Sequence, residues 1–284
     1  MVMKLFTVEN RDASFIDVYR TSALRYGFKL GLIKPSSIHS LAFNKFLENY
    51  QHFSVNSQIF ELACFRRYFE VLDLTLPGDN FIIADSDLII NDTAKNIPSE
   101  LTDFFGFGLV GSVGQKNKVI EDDISPHFSF WSHALLKSFV EYLIFMYEQK
   151  KETLEQIYRN RQILNGNRAS VSDMTLLKLF VDQNNINFLN SNFVFKNSYV
   201  DHNFSMYESS NCKFKGNFGF KYFRFNNDYV EFLSEDYQTI RPIILHLQGK
   251  AKLASDDIQK GSYLRATGKL LAITTAKKVR GFLC

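Results

Sequence analysis

The chain is poor in cysteine. Cys64, Cys212 and Cys284 are its only three in 284 residues, too few and too far apart for a disulfide framework, and none forms the C-x-x-C pair typical of structural zinc. Long apolar runs are also missing. The opening MVMKLFTVENRD meets Glu9 and Arg11 too soon to hold the apolar stretch of a signal peptide. The most apolar later stretch, Ser138 to Tyr147, is broken by Glu141 and too short to span a bilayer. These absences predict a cytosolic protein, attached at most to a membrane surface.

The net charge is small, +3 from 33 Lys/Arg against 30 Asp/Glu, but it is unevenly placed. Residues 250–284 hold eight Lys/Arg against Asp256 and Asp257, a local +6 that leaves −3 on the remainder. A mildly acidic body excludes a nucleic-acid binder with a broad basic face. The basic end, with Leu264, Leu270, Leu271 and Ile273 among its cations, suits peripheral contact with an anionic membrane through the C-terminal tail, or else a solvated terminus. What is abundant is apolar and aromatic: 45% hydrophobic residues, with 29 Phe and 13 Tyr. That is enough for a sizeable core. The expected organisation is one domain over residues 1–252 and a basic extension over 253–284.

Short β-type runs alternate with amphipathic stretches through the first half, the pattern of an α/β fold with a largely parallel sheet covered by helices. Strands are predicted at 4–8, 29–33, 81–84, 106–113 and 243–247. Helices are predicted at 13–26, from Ser36 to Tyr50, at 58–72, from Trp131 to Tyr158 and from Ser172 to Val181. Phe81 to Ala84 is a continuous apolar run, as in a central strand buried on both faces. Residues 186–233, rich in Asn, Phe and Gly, predict hairpins and loops. Within them Lys215 to Tyr222 predicts an aromatic strand packed on the core. Asp122-Asp123 and Asp256-Asp257 follow no apolar strand and are expected to be exposed loop acids.

Two motifs carry chemistry. Asp85-Ser86-Asp87 directly follows the apolar strand, and ligands gather at the carboxyl ends of such strands. Paired carboxylates there suit Mg²⁺ or Mn²⁺ bridging to phosphate oxygens, although Asp also serves turns for purely local reasons. The second motif, His246-Leu247-Gln248-Gly249-Lys250-Ala251-Lys252, follows the last strand. H-x-x-G-x-x-K should arise by chance only about 0.02 times in a chain of this composition. Imidazole can complete a carboxylate metal site, glycine lets the backbone approach a phosphate, and lysine supplies a point charge for it.

Together these residues resemble the metal-dependent glycosyltransferases of the GT-A fold, in particular the family-eight type that includes lipopolysaccharide galactosyltransferases and glycogenin. The resemblance implies a mixed Rossmann-like sheet flanked by helices. It implies that Asp85, Asp87 and His246 hold Mn²⁺ or Mg²⁺ on a nucleotide-sugar donor, a UDP-sugar by family habit, with Gly249 and Lys252 at the phosphates and Arg67 (or Arg66) on the preceding helix binding donor. The acceptor it implies is a glycan or a lipid-linked sugar, in a polysaccharide pathway. The family's Pro-Trp after the lysine is replaced by Leu253-Ala254, and of its D-Q-D segment only Asp173 survives, as the candidate catalytic acid. Asp173 would orient the donor sugar or act as base for the acceptor hydroxyl; its place at a helix start also suits the dipole alone. The rivals are a haloacid-dehalogenase-like phosphatase, whose D-x-D lies nearer the N-terminus, and a non-catalytic interaction protein.

Overall fold

The computed structural model describes residues 3–35, 40–113, 123–165, 169–217, 219–227, 229–262 and 265–272. In chain order, β1 (Lys4–Val8), α1 (Ser14–Arg25), β2 (Lys29–Ile33), α2 (Leu41–Asn49) and α3 (Gln58–Leu74) lead to β3 (Asn80–Ala84) and β4 (Leu88–Ile90). A short α4 (Ser99–Thr102), β5 (Leu109–Val113), β6 (Ile124–Ser132), α5 (His133–Gln149), α6 (Lys151–Asn165) and α7 (Asp173–Gln183) follow. The last third holds β7 (Phe188–Asn190), β8 (Ser198–Val200), the hairpin β9 (Gly216–Asn217) and β10 (Phe220–Lys221), then β11 (Phe223–Asn226), β12 (Tyr229–Leu233), β13 (Thr239–His246) and α8 (Ser255–Gln259). Serine hydroxyls cap three helices: Ser40 accepts from the Phe43 amide, Ser57 from Phe60 and Ser132 from Leu135, at 3.2–3.3 Å.

The architecture is a mixed α/β fold, as expected. One sheet runs β2-β1-β3-β6-β5-β7 and the other β11-β12-β13-β4, with β8 parallel to β13. β3 lies third in the first sheet, and its alternation explains its unbroken apolar run. Phe81 and Ile83 enter the core under α2, α3, α5 and α7, while Ile82 and Ala84 enter a second core on the opposite face. Both faces are covered, so neither tolerates polar residues.

Several expectations are corrected. The sheet is mixed, as the resemblance implies, and not largely parallel, as the alternation of elements alone predicts, because β6 lies antiparallel between β3 and β5. β6 was invisible as a strand: it is buried along its length, so it does not alternate, and Pro126 sits in it. The ladder tolerates that proline because its register with β5 shifts there, between Val110 and Ser112. Trp131 therefore belongs to β6, and the single helix expected from Trp131 to Tyr158 is two. They break at Lys150, which leaves helical geometry (φ −127°, ψ 30°) with no Gly or Pro to signal it. The helix expected from Ser36 begins after Ser40, and residues 36–39 lie outside the described residues. Asp123 and Asp257 are buried rather than exposed loop acids. Arg161 forks onto Asp123 at 2.7 and 2.9 Å, and Lys269 pairs with Asp257 at 2.5 Å. Asp122 lies outside the described residues.

The start of the basic extension is packed onto the body. Ile258, Ala266 and Leu270 are buried with Val18 of α1 in a third core, and Gln259 Nε2 donates to the Val18 carbonyl at 3.3 Å. Leu271 is 40% exposed. Leu264 and Ile273 lie outside the described residues. Among the described residues no helix is long and apolar enough to cross a membrane.

Candidate metal centre

Asp85-Ser86-Asp87 is the three-residue step by which the chain leaves one sheet at the end of β3 and enters the other at β4. The step is pinned on both sides. The Asp85 amide donates to the His127 carbonyl of β6 at 2.9 Å, and buried Ser86 donates its hydroxyl to Glu9 Oε2 at 2.5 Å, just beyond β1. Antiparallel pairing of β13 with β4 then sets His246 opposite Leu88, and the Leu247 amide closes on the Asp87 carbonyl at 3.0 Å. Strand register thus brings together two motifs some 160 positions apart. Ligand atoms of Asp85, Asp87 and His246 all lie within 4.8 Å of one another.

Beyond His246 the chain reverses through a 3-10 turn over Gly249–Ala254. Gly249 enters it at φ +59°, the left-handed region that glycine reaches without strain, and its missing Cβ faces open space. The turn returns Lys252 to the site, where its Nζ meets Asp87 Oδ2 at 3.0 Å. On the other side, Arg67 of α3 donates to Asp85 Oδ1 at 2.5 Å and to Asp173 Oδ2 at 2.6 Å, while its Nε is fixed on the Cys64 carbonyl at 2.9 Å. Arg66 instead pairs with Glu70 on its own helix. Asp173, the first residue of α7, is buried and also accepts from the Tyr68 hydroxyl at 3.0 Å. Asp85, Asp87, His246 and Lys252 therefore lie together, Arg67 and Asp173 are linked to them through Asp85, Gly249 opens the turn that returns Lys252, and Arg66 stays outside the cluster.

The imidazole of His246 provides a test of fit for a cation. Its Nδ1 lies 2.6 Å from the His202 carbonyl, which can only accept, so Nδ1 carries the proton. In the neutral ring Nε2 is then a lone pair, and it faces Asp87 Oδ1 at 3.4 Å. A lone pair and a carboxylate repel unless a cation, proton or metal, lies between them. The titration directions agree. Burial lowers the His246 value, but the hydrogen bond and charge of Asp87 and the charge of Asp85 outweigh it and raise the group above its ordinary range. Burial likewise works against the Asp87 carboxylate, yet His246 and Lys252 hold it well below the usual carboxylate range. Two carboxylates and an imidazole are hard to borderline donors and fit Mn²⁺ or Mg²⁺.

Sequence reasoning missed the support around these groups. His127 stacks on His246 with ring centroids 4.4 Å apart and planes within 8°. Burial, then the charges of His246 and His202, push the His127 value well down. His202 falls to about 3, from burial first and then the His246 charge. Arg11, just past β1, bonds Glu9 and Ser86 and stacks over Phe15, which Lys252 also overlies. Its position at a strand's carboxyl end was the one available signal. His202 had none, in a stretch expected to hold hairpins and loops, and His127 offered only its place ahead of the long helix. His127, Trp131 and His133 read in the sequence either as lining of an acceptor pocket or as ordinary packing; Trp131 is fully buried in the core and His133 Nδ1 pairs with the Thr75 hydroxyl at 3.0 Å.

No family model and no curated protein matches the chain. Solved structures similar to it include mouse xyloside xylosyltransferase 1 in its apo form, at 10% identity, a TM-score of 0.46, and coverage of 69% of this chain and 87% of that one. Another is a glycosyltransferase involved in glycosylation of the major capsid of PBCV-1, at 13% identity, a TM-score of 0.32, and coverage of 58% and 76%. A third is A197 from STIV, at 11% identity, a TM-score of 0.29, and coverage of 85% and 94%.

Proposed function

We propose that the chain is a metal-assisted glycosyltransferase of GT-A type, similar to the family-eight enzymes, that moves a sugar from a nucleoside-diphosphate donor, a UDP-sugar, to a glycan or lipid-linked acceptor. The observation that carries the reading is the convergence of Asp85, Asp87 and His246 on one small volume, with Lys252 beside it, from two motifs distant in the chain. A divalent ion held by those three ligands, Mn²⁺ or Mg²⁺, would supply positive charge to the diphosphate as the sugar–phosphate bond breaks. Lys252 already holds its ammonium at the same spot and would turn from Asp87 to the phosphate oxygens when donor enters. Gly249, with nothing where a side chain would stand, leaves room for the phosphates to approach the main chain.

Arg67 keeps the Asp85 carboxylate aimed and couples it to Asp173. Of the two roles weighed for Asp173, orientation of the donor side suits its placement better than proton abstraction. A base has to be reached by the acceptor hydroxyl, and Asp173 is 2% exposed under Arg67 and Tyr68. A haloacid-dehalogenase-like phosphatase would use Asp85 as nucleophile, whereas Arg67 here occupies Asp85 Oδ1.

Thermal unfolding with UDP, with and without Mn²⁺, tests the reading. A ligand at 100 times its dissociation constant adds about 2.7 kcal/mol of stability. A rise in melting temperature is expected that requires both components and disappears in Asp87→Asn, together with Mn²⁺-dependent release of UDP from a UDP-sugar. No joint effect across a panel of nucleotides, or turnover of a simple phosphate ester instead, defeats it.

A further inference from the structure

Lys221 is a lysine with 1% of its side chain exposed, at the end of β10 in an aromatic hairpin, and its partner Asp201 is wholly buried. Ions this deep cost stability unless they are fully bonded, and a hydrophobic pair of the same shape would do as well for packing. Both oxygens of Asp201 and the Lys221 ammonium are bonded, and the bonds tie the pair to the segment that surrounds His246. Lys221 Nζ donates to Asp201 Oδ1 at 2.8 Å and also to the Asn203 carbonyl, and Tyr199 donates its hydroxyl to the same Asp201 oxygen at 2.5 Å. The other oxygen, Asp201 Oδ2, accepts from the main-chain amide of His246 at 3.0 Å. The residues between these anchors hold the rest of His246. The His202 carbonyl takes Nδ1–H at 2.6 Å, and the Phe204 amide donates to the His246 carbonyl at 3.0 Å.

We propose that Lys221 and Asp201 are positioning residues that clamp the 201–204 loop around His246, so that its imidazole keeps the proton on Nδ1 and presents Nε2 to Asp85 and Asp87. The inference rests on the metal-site reading above. Lys221 reaches no ligand atom itself; it fixes the carbonyl at residue 202 by holding the side chain before it and the carbonyl after it. With that carbonyl free to turn, either ring nitrogen could carry the proton, and the metal-facing lone pair would be present only part of the time.

The test uses the isosteric, charge-neutral double variant Asp201→Asn/Lys221→Met and the milder Tyr199→Phe, which removes one donor to Asp201 without stranding a buried charge. Mn²⁺ affinity is read by electron paramagnetic resonance, and the tautomer of neutral His246 by imidazole ¹⁵N shifts in the metal-free protein, with near-ultraviolet circular dichroism to certify folding. Outer-shell partners of a ligating histidine are typically worth 10- to 100-fold in metal affinity. A loss in that range is expected for the double variant and a smaller one, at least about threefold, for Tyr199→Phe, with a mixed tautomer population in both. Folded variants that keep wild-type affinity and a pure Nδ1–H tautomer overturn the proposal. If the double variant fails to fold, Tyr199→Phe decides by the same two readouts. A wild type without Mn²⁺ affinity would instead defeat the metal-site reading, while the tautomer comparison would still decide the clamp.

Discussion

Replacing Arg67 by methionine keeps the apolar stem of the side chain and removes the charge that Asp85 and Asp173 share. The guanidinium is 12% exposed, Asp173 3% and Asp85 33%. Removing one partner of a buried pair typically costs 3–5 kcal/mol, because the charge left behind is uncompensated. Water already screens Asp85 in part, which places the expectation near the lower bound, about 3 kcal/mol. At roughly 2–3 °C per kcal/mol for a domain of this size, Arg67→Met should melt about 6–9 °C below wild type. The stranded carboxylate dominates that loss, so the double variant Arg67→Met/Asp173→Asn should recover at least about 1 kcal/mol of it. The deficit of the single variant should also shrink as pH falls toward 5, where an unpartnered buried carboxylate takes up a proton. Urea and thermal unfolding followed by circular dichroism measure all three. A single variant within about 1 kcal/mol of wild type, or a double variant no better than the single, refutes the assignment of Arg67 as the charge that reconciles the two acids.

Lys252→Met removes the cation now resting on Asp87, so Mn²⁺ binding without nucleotide should tighten about fivefold, the equivalent of the ~1 kcal/mol a partly exposed ion pair is worth, while UDP binding weakens; calorimetric titration showing neither change would separate Lys252 from the phosphates. Stability should fall on acidification in metal-free buffer. The folded-state values of His127 and His202 are lowered, so the unfolded chain binds more protons below pH ~6.5, and between there and pH 5 each group withdraws up to about 2 kcal/mol. His246 has the opposite sign, since its folded value is raised and its contribution is complete below the unfolded value and lost as pH rises through the folded one. Two groups against one give a net fall, and His202→Asn, which keeps the main-chain carbonyl, should flatten the profile; a melting temperature that rises from pH 7 to 5 would refute it.

The site was legible because its parts obey local rules. An apolar strand ended by acids, and a histidine, glycine and lysine at fixed spacing, are statements about a strand end and a turn, and strand and turn chemistry acts over a few residues. Glu9, Arg11 and His202, and the stacking of His127 on His246, escaped notice for the complementary reason: none lies in a pattern, and each acquires its place from a neighbour far away in the chain. Lys221 shows the limit most sharply. In Lys215 to Tyr222 it reads as one more cation on an aromatic strand, and only the approach of Asp201 turns it inward.

The sequence by itself determined the alternation of helices and strands in the first half, the two-faced burial of β3 and the two motifs whose Asp85, Asp87, His246 and Lys252 the fold brings together, because propensity, alternation and spacing are properties of neighbouring residues. The tertiary structure decided that β6 runs antiparallel through a proline, that Trp131 to Tyr158 is a strand end and two helices, and which tautomer His246 adopts. Those outcomes turn on strand-pairing register and, for His246, on a hydrogen bond to a carbonyl 44 positions away, where no local preference reaches and only the closing of the fold supplies the partner.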